Sequence, residues 1–84
     1  MKLNITIIGT DKIAYEGEAE LAFVPTKAGI IEILPNHTQL VSALAPGEII
    51  LKTEKGEPKF KVTSGVLEIR PESKIIILAD IVKE

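Results

Sequence analysis

Glycine and proline interrupt this 84-residue chain so often that little room remains for a helix. Six glycines and five prolines lie at residues 9, 17, 25, 29, 35, 46, 47, 56, 58, 65 and 71. Both residue types are unfavourable inside helices, and an average helix needs about 11–12 residues. The intervals between them are rich in isoleucine and valine, which suit a pleated surface. The spacing therefore predicts a series of short β-strands.

Alternation of apolar and polar residues supports this prediction. It places four sets of side chains on an inner face: Leu3, Ile5 and Ile7; Ala19, Leu21 and Phe23; Phe60 and Val62; Leu67 and Ile69. Successive strand residues point to opposite sides, so each set marks one buried face. Tight turns are predicted at Gly9–Lys12, Glu54–Pro58, Ser64–Gly65 and Pro71–Lys74. Short strands with turns every 8–10 residues are typical of an antiparallel β-sandwich or barrel, here within one domain over residues 1–84.

The segment 37–47, HTQLVSALAPG, fits two conformations. A short helix ending at Pro46 would place four apolar residues on one side: Leu40, Val41, Ala43 and Leu44. A strand would instead put Leu40, Ser42 and Leu44 on a common face. We favour the strand because the neighbouring segments are predicted to be strands.

Three apolar runs break the alternation: residues 29–34, 48–51 and 74–80. In a sandwich, one face of each strand meets the core and the other meets solvent. A continuous run therefore places isoleucine on both faces. Either a partner protein covers the outer apolar surface, or one sheet wraps over the other in a barrel-like closure. Both possibilities are open, and the first is slightly favoured.

Charge and composition exclude several functions. Ten basic and twelve acidic residues give a net charge of −2, and the lysines are scattered among acids, with Arg70 the only arginine. A nucleic-acid-binding face would need clustered cations. Cysteine is absent, which excludes disulfides and thiolate metal sites. The start of the chain does not resemble a signal peptide, and no run approaches the ~20 apolar residues of a membrane span. We expect a cytosolic protein, which can still attach to a membrane complex.

His37 is the only histidine and the first candidate for catalysis. A general base needs an orienting carboxylate, and the nearest acids in sequence, Glu32 and Glu48, stand at no motif spacing. Three roles are open: a turn residue whose imidazole bonds a loop carbonyl, a partner contact, or a catalyst or pH sensor. The turn residue is favoured.

The other chemical motifs are weaker still. Glu16, Glu18 and Glu20 would stand about 6.6 Å apart on one side of a strand, a distance that resembles a glycosidase pair. Three acids in register are more typical of a solvated face. Neither a phosphate-binding glycine loop nor a GxSxG motif occurs, and the chain offers no set of metal ligands. We therefore expect no catalytic residue, no cofactor and no metal.

The region FVPTKAGIIEILPNHTQLVSALAPGEI (23–49) resembles the signature region of the epsilon subunit of F-type ATP synthases, called delta in mitochondria. The matching positions are, in order, Val24–Pro25, Gly29, Leu34–Pro35, His37, Leu40, Leu44 and Pro46–Gly47. Further matches are Gly17 after an aromatic residue, Ser64–Gly65, the ILAD segment at 77–80 and the opening KLNITI. The resemblance runs from about Lys2 to Asp80, and its strength lies in the ordered spacing.

This resemblance implies a β-sandwich of about ten strands at the foot of the central stalk. Such a subunit rotates with the gamma subunit and contacts the polar loops of the membrane c-ring, on the cytoplasmic side of the membrane. The implied c-ring contacts are Thr26, Lys27, Ala28, Gly29, Ile30, Ile31 and Glu32. The implied gamma contacts are His37, Thr38, Gln39, Val41 and Ser42. The expected function is non-catalytic coupling of gamma to the c-ring during proton-driven ATP synthesis.

The chain departs from the family pattern in three places. Glu32 and Asn36 replace glycines that many members carry, and Asn36 is the milder change because asparagine tolerates left-handed backbone. The C-terminal helical hairpin of many relatives has no counterpart in the 84 residues, so neither its inhibitory role nor nucleotide binding is expected. The alternative function is a free-standing sandwich that binds a peptide or small ligand, for which three aromatic residues are a poor supply.

Overall fold

The structure, a computed structural model, describes residues 2–82, and all regular elements among them are β-strands. The eight strands are β1 (Leu3–Ile8), β2 (Ile13–Ala19), β3 (Leu21–Thr26), β4 (Gly29–Ile33), β5 (Leu40–Ala43), β6 (Gly47–Lys52), β7 (Lys59–Arg70) and β8 (Lys74–Ile81). The ambiguous segment is thus a strand, as favoured. Met1, Lys83 and Glu84, which belong to the predicted domain, lie outside the described residues.

The strands form one continuous hydrogen-bonded path in the order β2-β1-β8-β7-β6-β3-β4, and β5 also pairs with β7. The sheet folds over at β7. The first half of β7 pairs with β6, and the second half of β7 pairs with β5 and β8. This produces the two layers of the predicted β-sandwich, and the sheet does not close into a barrel. Every pairing is antiparallel except β1 with β8, which is parallel.

The predicted turn at Ser64–Gly65 is wrong, because β7 continues through both residues. The β7–β8 register shifts between Val62 and Ser64, which inserts one residue into the strand. Val62 and Leu67 can therefore both face the core although five positions separate them. Gly65 has φ +148°, and a Cβ atom there would lie 2.0 Å from the Leu78 carbonyl oxygen. The glycine thus marks a bulge that turns one strand from one sheet into the other, and the described residues form eight strands rather than about ten.

The alternation predicted for β3 is also wrong in phase. Leu21 and Phe23 were expected inside, but the structure buries Ala22 and Val24 completely and leaves the other two partly exposed. The chain bends at Glu20, whose amide donates to the carbonyl of Lys52 (2.7 Å), and this bend separates β2 from β3. Because the bend changes the side to which the following residues point, Ala19 is inside as predicted, whereas Leu21 and Phe23 are not.

The core lies between the two layers and is almost entirely aliphatic. Its largest fully buried side chains are Leu3, Ile5, Ile7, Ile33, Leu44, Ile49, Leu51, Leu67, Ile75, Ile77, Val24 and Val62. No buried side-chain nitrogen or oxygen among residues 2–82 lacks a hydrogen-bond partner. The prediction that the isoleucine runs occupy both faces is confirmed: Ile75 and Ile77 are buried, whereas Ile76 is partly exposed and Leu78 is half exposed.

The other three predicted turns are confirmed. The amide of Gly9 donates to the carbonyl of Lys12 (2.8 Å), and Thr53 and Gly56 bridge the second turn. At the third, three residues join Arg70 to its partner Lys74, and two of them, Glu72 and Ser73, have positive φ. The carbonyl of Ser73 accepts a hydrogen bond from the amide of Asn4 (2.9 Å). Short, hydrogen-bonded turns therefore hold the strands that present the outer faces.

Candidate functional site

A row of apolar side chains crosses the outer surface of the larger layer. The cross-strand register places five residues side by side on β2, β1, β8, β7 and β5: Ile13, Ile8, Leu78, Val66 and Ala43. Ile13, Leu78 and Val66 are 52%, 50% and 42% exposed. At about 4.8 Å between strands the row is about 19 Å long. We call this surface the first face; it is a continuous apolar strip with no covering segment among residues 2–82.

The neighbouring rows of the first face become progressively polar. The next row contains Thr6, Ile76, Glu68 and Val41, of which Val41 is 68% exposed. The row beyond it contains Asn4, Lys74 and Arg70. The Arg70 guanidinium pairs with Glu68 at 3.0 Å, so this carboxylate is compensated from its polar side. An apolar centre with a polar margin is the usual anatomy of a protein-binding surface.

The outer surface of the other layer, the second face, is more interrupted. Its apolar residues are Leu21, Phe23, Ile30 and Ile50. One cross-strand row reads Glu32, Phe23, Ile50 and Lys59, and Lys52 lies opposite Leu21. A charge therefore lies at the edge of each of these rows. Ile30 is nevertheless the most exposed large apolar residue among the described ones, at 76%.

His37 lies in a turn that the rest of the chain holds in place. Its Nδ1 atom is 2.8 Å from the Thr38 carbonyl oxygen, as a turn residue that bonds a loop carbonyl would be. The preceding residue, Asn36, has φ +65°, and its amide donates to the buried hydroxyl of Ser73 at 2.9 Å. Asn36 thus occupies the left-handed conformation that a glycine would otherwise supply.

The residues implied as gamma contacts do not share one face. Val41 points outward on the first face, whereas Ser42 pairs with Leu67 on the inner side of its strand and is partly buried. His37, Thr38 and Gln39 form the loop that leads into β5. Of the five, the structure places Val41 alone on the first face, and the role of the set as contacts stays a prediction.

The residues implied as c-ring contacts form the β3–β4 hairpin. Lys27 and Ala28 are the exposed turn, Ile30 and Glu32 point outward, and Ile31 packs against the core. Thr26 is only 4% exposed. The Lys27 amide donates to the Ala43 carbonyl at 3.1 Å. This bond ties the hairpin to β5 at the residue next to Ser42, one of the implied gamma contacts.

The exposed carboxylates form no acid–base pair. Glu16 and Glu18 lie on the outer side of the edge strand β2, and Glu20 lies beyond its end, all three exposed. Close to Glu18 and Glu20, Lys2 donates a hydrogen bond to Glu54 at 2.5 Å. This hydrogen bond lowers the pKa of the Glu54 carboxyl and raises that of Lys2, with the attraction between the charges adding to both shifts. Both side chains are in solvent, so the pair is a surface ion pair.

Residues 2–82 contain no group of three or more histidine, aspartate or glutamate side chains that could hold a metal ion. Within the same range, no helix is long and apolar enough to cross a membrane. Tyr15 and Phe60 pack edge to face, with ring centroids 5.9 Å apart, and lie against the core. Two of the three aromatic rings are thus committed to packing.

Sequence reasoning missed most of the first face. Ile8, Val66 and Leu78 were not named as candidates, although the run at 74–80 indicated outward apolar side chains. The signal was available in β1 and β8, where an apolar residue follows the inward Ile7 and Ile77 directly. Their alignment into one row depends on strand register, which the sequence does not reveal.

The fold and its surfaces define a small two-layer β-domain with exposed apolar strips. Over residues 2–84 the sequence matches the family described as ATP synthase, Delta/Epsilon chain, beta-sandwich domain. The chain therefore belongs to the β-sandwich family of ATP synthase delta/epsilon chains, as its signature residues predicted.

Individual relatives agree with this assignment. The chain is 35% identical over 79 residues to the ATP synthase epsilon chain of Bordetella parapertussis, covering 93% of this chain and 56% of that protein. It is 35% identical over 80 residues to the epsilon chain of Hydrogenovibrio crunogenus, covering 95% and 55%. The chain thus spans about half the length of the curated relatives that it matches.

Solved structures show the same fold at lower identity. A chain of the Euglena gracilis mitochondrial ATP synthase, in an OSCP/F1/c-ring structure, superposes with a TM-score of 0.88 at 19% identity, covering 96% of this chain and 52% of that one. A chain of the Tetrahymena thermophila central stalk and c-ring structure gives 0.78 at 15% identity, covering 95% and 64%. At these identities the likeness concerns the fold alone.

Proposed function

We propose that this chain is a non-catalytic subunit of the rotor of an F-type ATP synthase, which couples the gamma subunit to the membrane c-ring. Family membership supports this proposal, as does the fold it shares with chains in F1/c-ring and central-stalk structures. The subunit has no catalytic residue of its own. It is peripheral to the membrane and lies on its cytoplasmic side through the assembled complex.

The observation that carries the proposal is the first face. A small soluble domain gains nothing from an apolar row about 19 Å long unless another polypeptide covers it. We assign the gamma subunit to this face. Val41 brings the implied gamma contacts to its border, and Arg70 and Lys74 provide a polar margin. The row lies on three inner strands, β1, β8 and β7, and on the two edge strands β2 and β5, all backed by the core, so it is a rigid surface.

The c-ring is assigned to the β3–β4 hairpin. Its tip presents Lys27, followed by the exposed Ile30 and Glu32 on the second face. This mixture of one cation, one anion and one apolar side chain suits polar loops better than it suits a dry interface. The bond from Lys27 to Ala43 places the two contact regions next to each other, as a coupling element between two partners requires.

Co-purification tests the proposal. The 84-residue chain, immobilised, is incubated separately with the gamma subunit and with detergent-solubilised c-ring from the same organism. We expect both to be retained, with gamma retention resistant to salt because apolar contact dominates it, and c-ring retention weakened by salt. Failure to retain either partner would contradict the proposal.

A further inference from the structure

Two loops of this domain use the same four-residue device. The sequences TKAG (26–29) and TEKG (53–56) each join two strands, and each ends on a glycine with positive φ, +123° at Gly29 and +142° at Gly56. In both, the threonine and the glycine are cross-strand neighbours. The repeat is short, but the structure shows that the chemistry is the same in both copies.

In each loop the threonine hydroxyl closes the turn with two hydrogen bonds. Thr26 Oγ1 donates to the Gly29 carbonyl at 2.7 Å and accepts from the Ala28 amide at 3.2 Å. Thr53 Oγ1 donates to the Gly56 carbonyl at 2.9 Å and accepts from the Lys55 amide at 3.2 Å. A side-chain oxygen that satisfies the backbone in this way restricts the conformations open to the turn.

The surroundings of the two hydroxyls differ. Thr26 is 4% exposed, and the residue after it bonds β5 through the Ala43 carbonyl. Thr53 is partly exposed, and the neighbouring Glu54 is already paired with Lys2. No carboxylate among the described residues lies within ion-pair distance of Lys27 or of Lys55, the lysine in the second loop. The first loop therefore differs from the second in its buried threonine and in its bond to β5.

We propose that Thr26 is the positioning residue of the c-ring contact, its buried hydroxyl holding Lys27 and Ala28 in the binding conformation before the ring is bound. This inference rests on the proposed function. Ordering a flexible loop on binding costs affinity, and a loop that is already ordered avoids that cost. The family resemblance implied a direct contact for Thr26, but a side chain that is only 4% exposed would act instead through the two residues that follow it.

The test compares Thr26→Val, which keeps the shape and removes the hydroxyl, with Thr26→Ser, which keeps the hydroxyl. Thr53→Val makes the same chemical change in the matched loop. Two quantities are measured for each variant: the exchange rate of the Ala28 amide hydrogen, and the affinity for solubilised c-ring. We expect Thr26→Val to speed exchange about tenfold and weaken ring binding about five- to tenfold, since these are the effects of losing one ordering bond pair. Thr26→Ser should restore both within about twofold, and Thr53→Val should change neither.

Two results would overturn the inference. Ring affinity that is unchanged in Thr26→Val, or lowered equally in Thr53→Val, would show that Thr26 does not position the contact. Ring binding that is absent in the unmodified chain would overturn the c-ring half of the proposed function. In that case Ala28 exchange still decides whether the hydroxyl orders the loop. Retention of gamma by every variant verifies that each remains folded.

Discussion

The two outer faces of this sandwich differ in how their apolar residues are arranged, although both layers contain isoleucine-rich strands. On the first face, register aligns Ile8, Leu78 and Val66 with apolar neighbours on five strands. On the second face, charged residues such as Glu32 and Lys59 lie at the ends of the rows. An uninterrupted strip can be dehydrated as a unit, whereas an interrupted one retains water around each charge. The comparison teaches that register, more than composition, decides which face can bind a partner.

The largest effect is expected where the two layers join. Gly65→Ala would place a methyl group 2.0 Å from the Leu78 carbonyl oxygen at a residue with φ +148°. The overlap and the backbone strain together should lower the free energy of unfolding by about 3 kcal/mol or more. Urea denaturation followed by circular dichroism measures this loss.

Gly29→Ala is the matched control for that substitution. Gly29 also has positive φ, but an added Cβ atom there meets nothing within 4 Å. Only the backbone strain remains, about 1–2 kcal/mol. Equal losses in the two variants would mean that the close approach of β7 to β8 does not shape the first face.

Smaller effects on stability are expected on the second face, where substitutions can distinguish a residue that contacts the ring from one that supports the fold. Ile30→Ala removes a side chain that is 76% exposed, so the free energy of unfolding should change by less than about 0.5 kcal/mol. Ring affinity should nevertheless fall about tenfold, by loss of apolar contact. Ile31 packs against the core, so Ile31→Ala should cost about 1–2 kcal/mol of stability. Thermal denaturation and ring binding, measured on both variants, test this; parallel losses in Ile30→Ala would argue against a contact role.

The smallest effect on stability is expected for the ion pair between Lys2 and Glu54, which lies on neither face. Lys2 lowers the pKa of Glu54, so the stability that this carboxylate contributes is present above its unfolded-state pKa and is lost as the pH falls through the lower folded-state pKa. Glu54→Gln should therefore flatten the fall in melting temperature between pH 5 and pH 3 slightly, with gamma and ring binding unchanged. A large change at pH 7 would mean that the pair is more than a surface ion pair.

Local sequence signals were sufficient for most of the fold. Alternation located the inner residues of β1 and β7, and glycine and proline located three of the four tight turns. The errors at Leu21 and Gly65 have one physical origin: a bend and a bulge each change the side to which later residues point. A prediction that extends the inward–outward alternation along the chain fails at a bend or a bulge. The position of the bend or bulge is set by a neighbouring strand and not by the local sequence.

The candidate site was less accessible to prediction than the fold. Resemblance to the epsilon family supplied the hairpin and the loop before β5, and the isoleucine runs indicated outward apolar residues. The row itself joins residues as distant in sequence as Ile8 and Leu78, which meet only because β1 and β8 pair in parallel. Such a juxtaposition depends on topology, and no single segment encodes it.

The most direct test of the apolar row is the affinity of gamma for two variants that place lysine on opposite faces. Leu78→Lys puts a charge in the centre of the first face, and Ile30→Lys puts one on the second; both positions are at least half exposed, so both variants should fold. We expect Leu78→Lys to weaken gamma binding about 100-fold, because a charge would be buried without a partner, and Ile30→Lys to leave it within about twofold. Unchanged binding by Leu78→Lys would contradict the assignment of gamma to the first face.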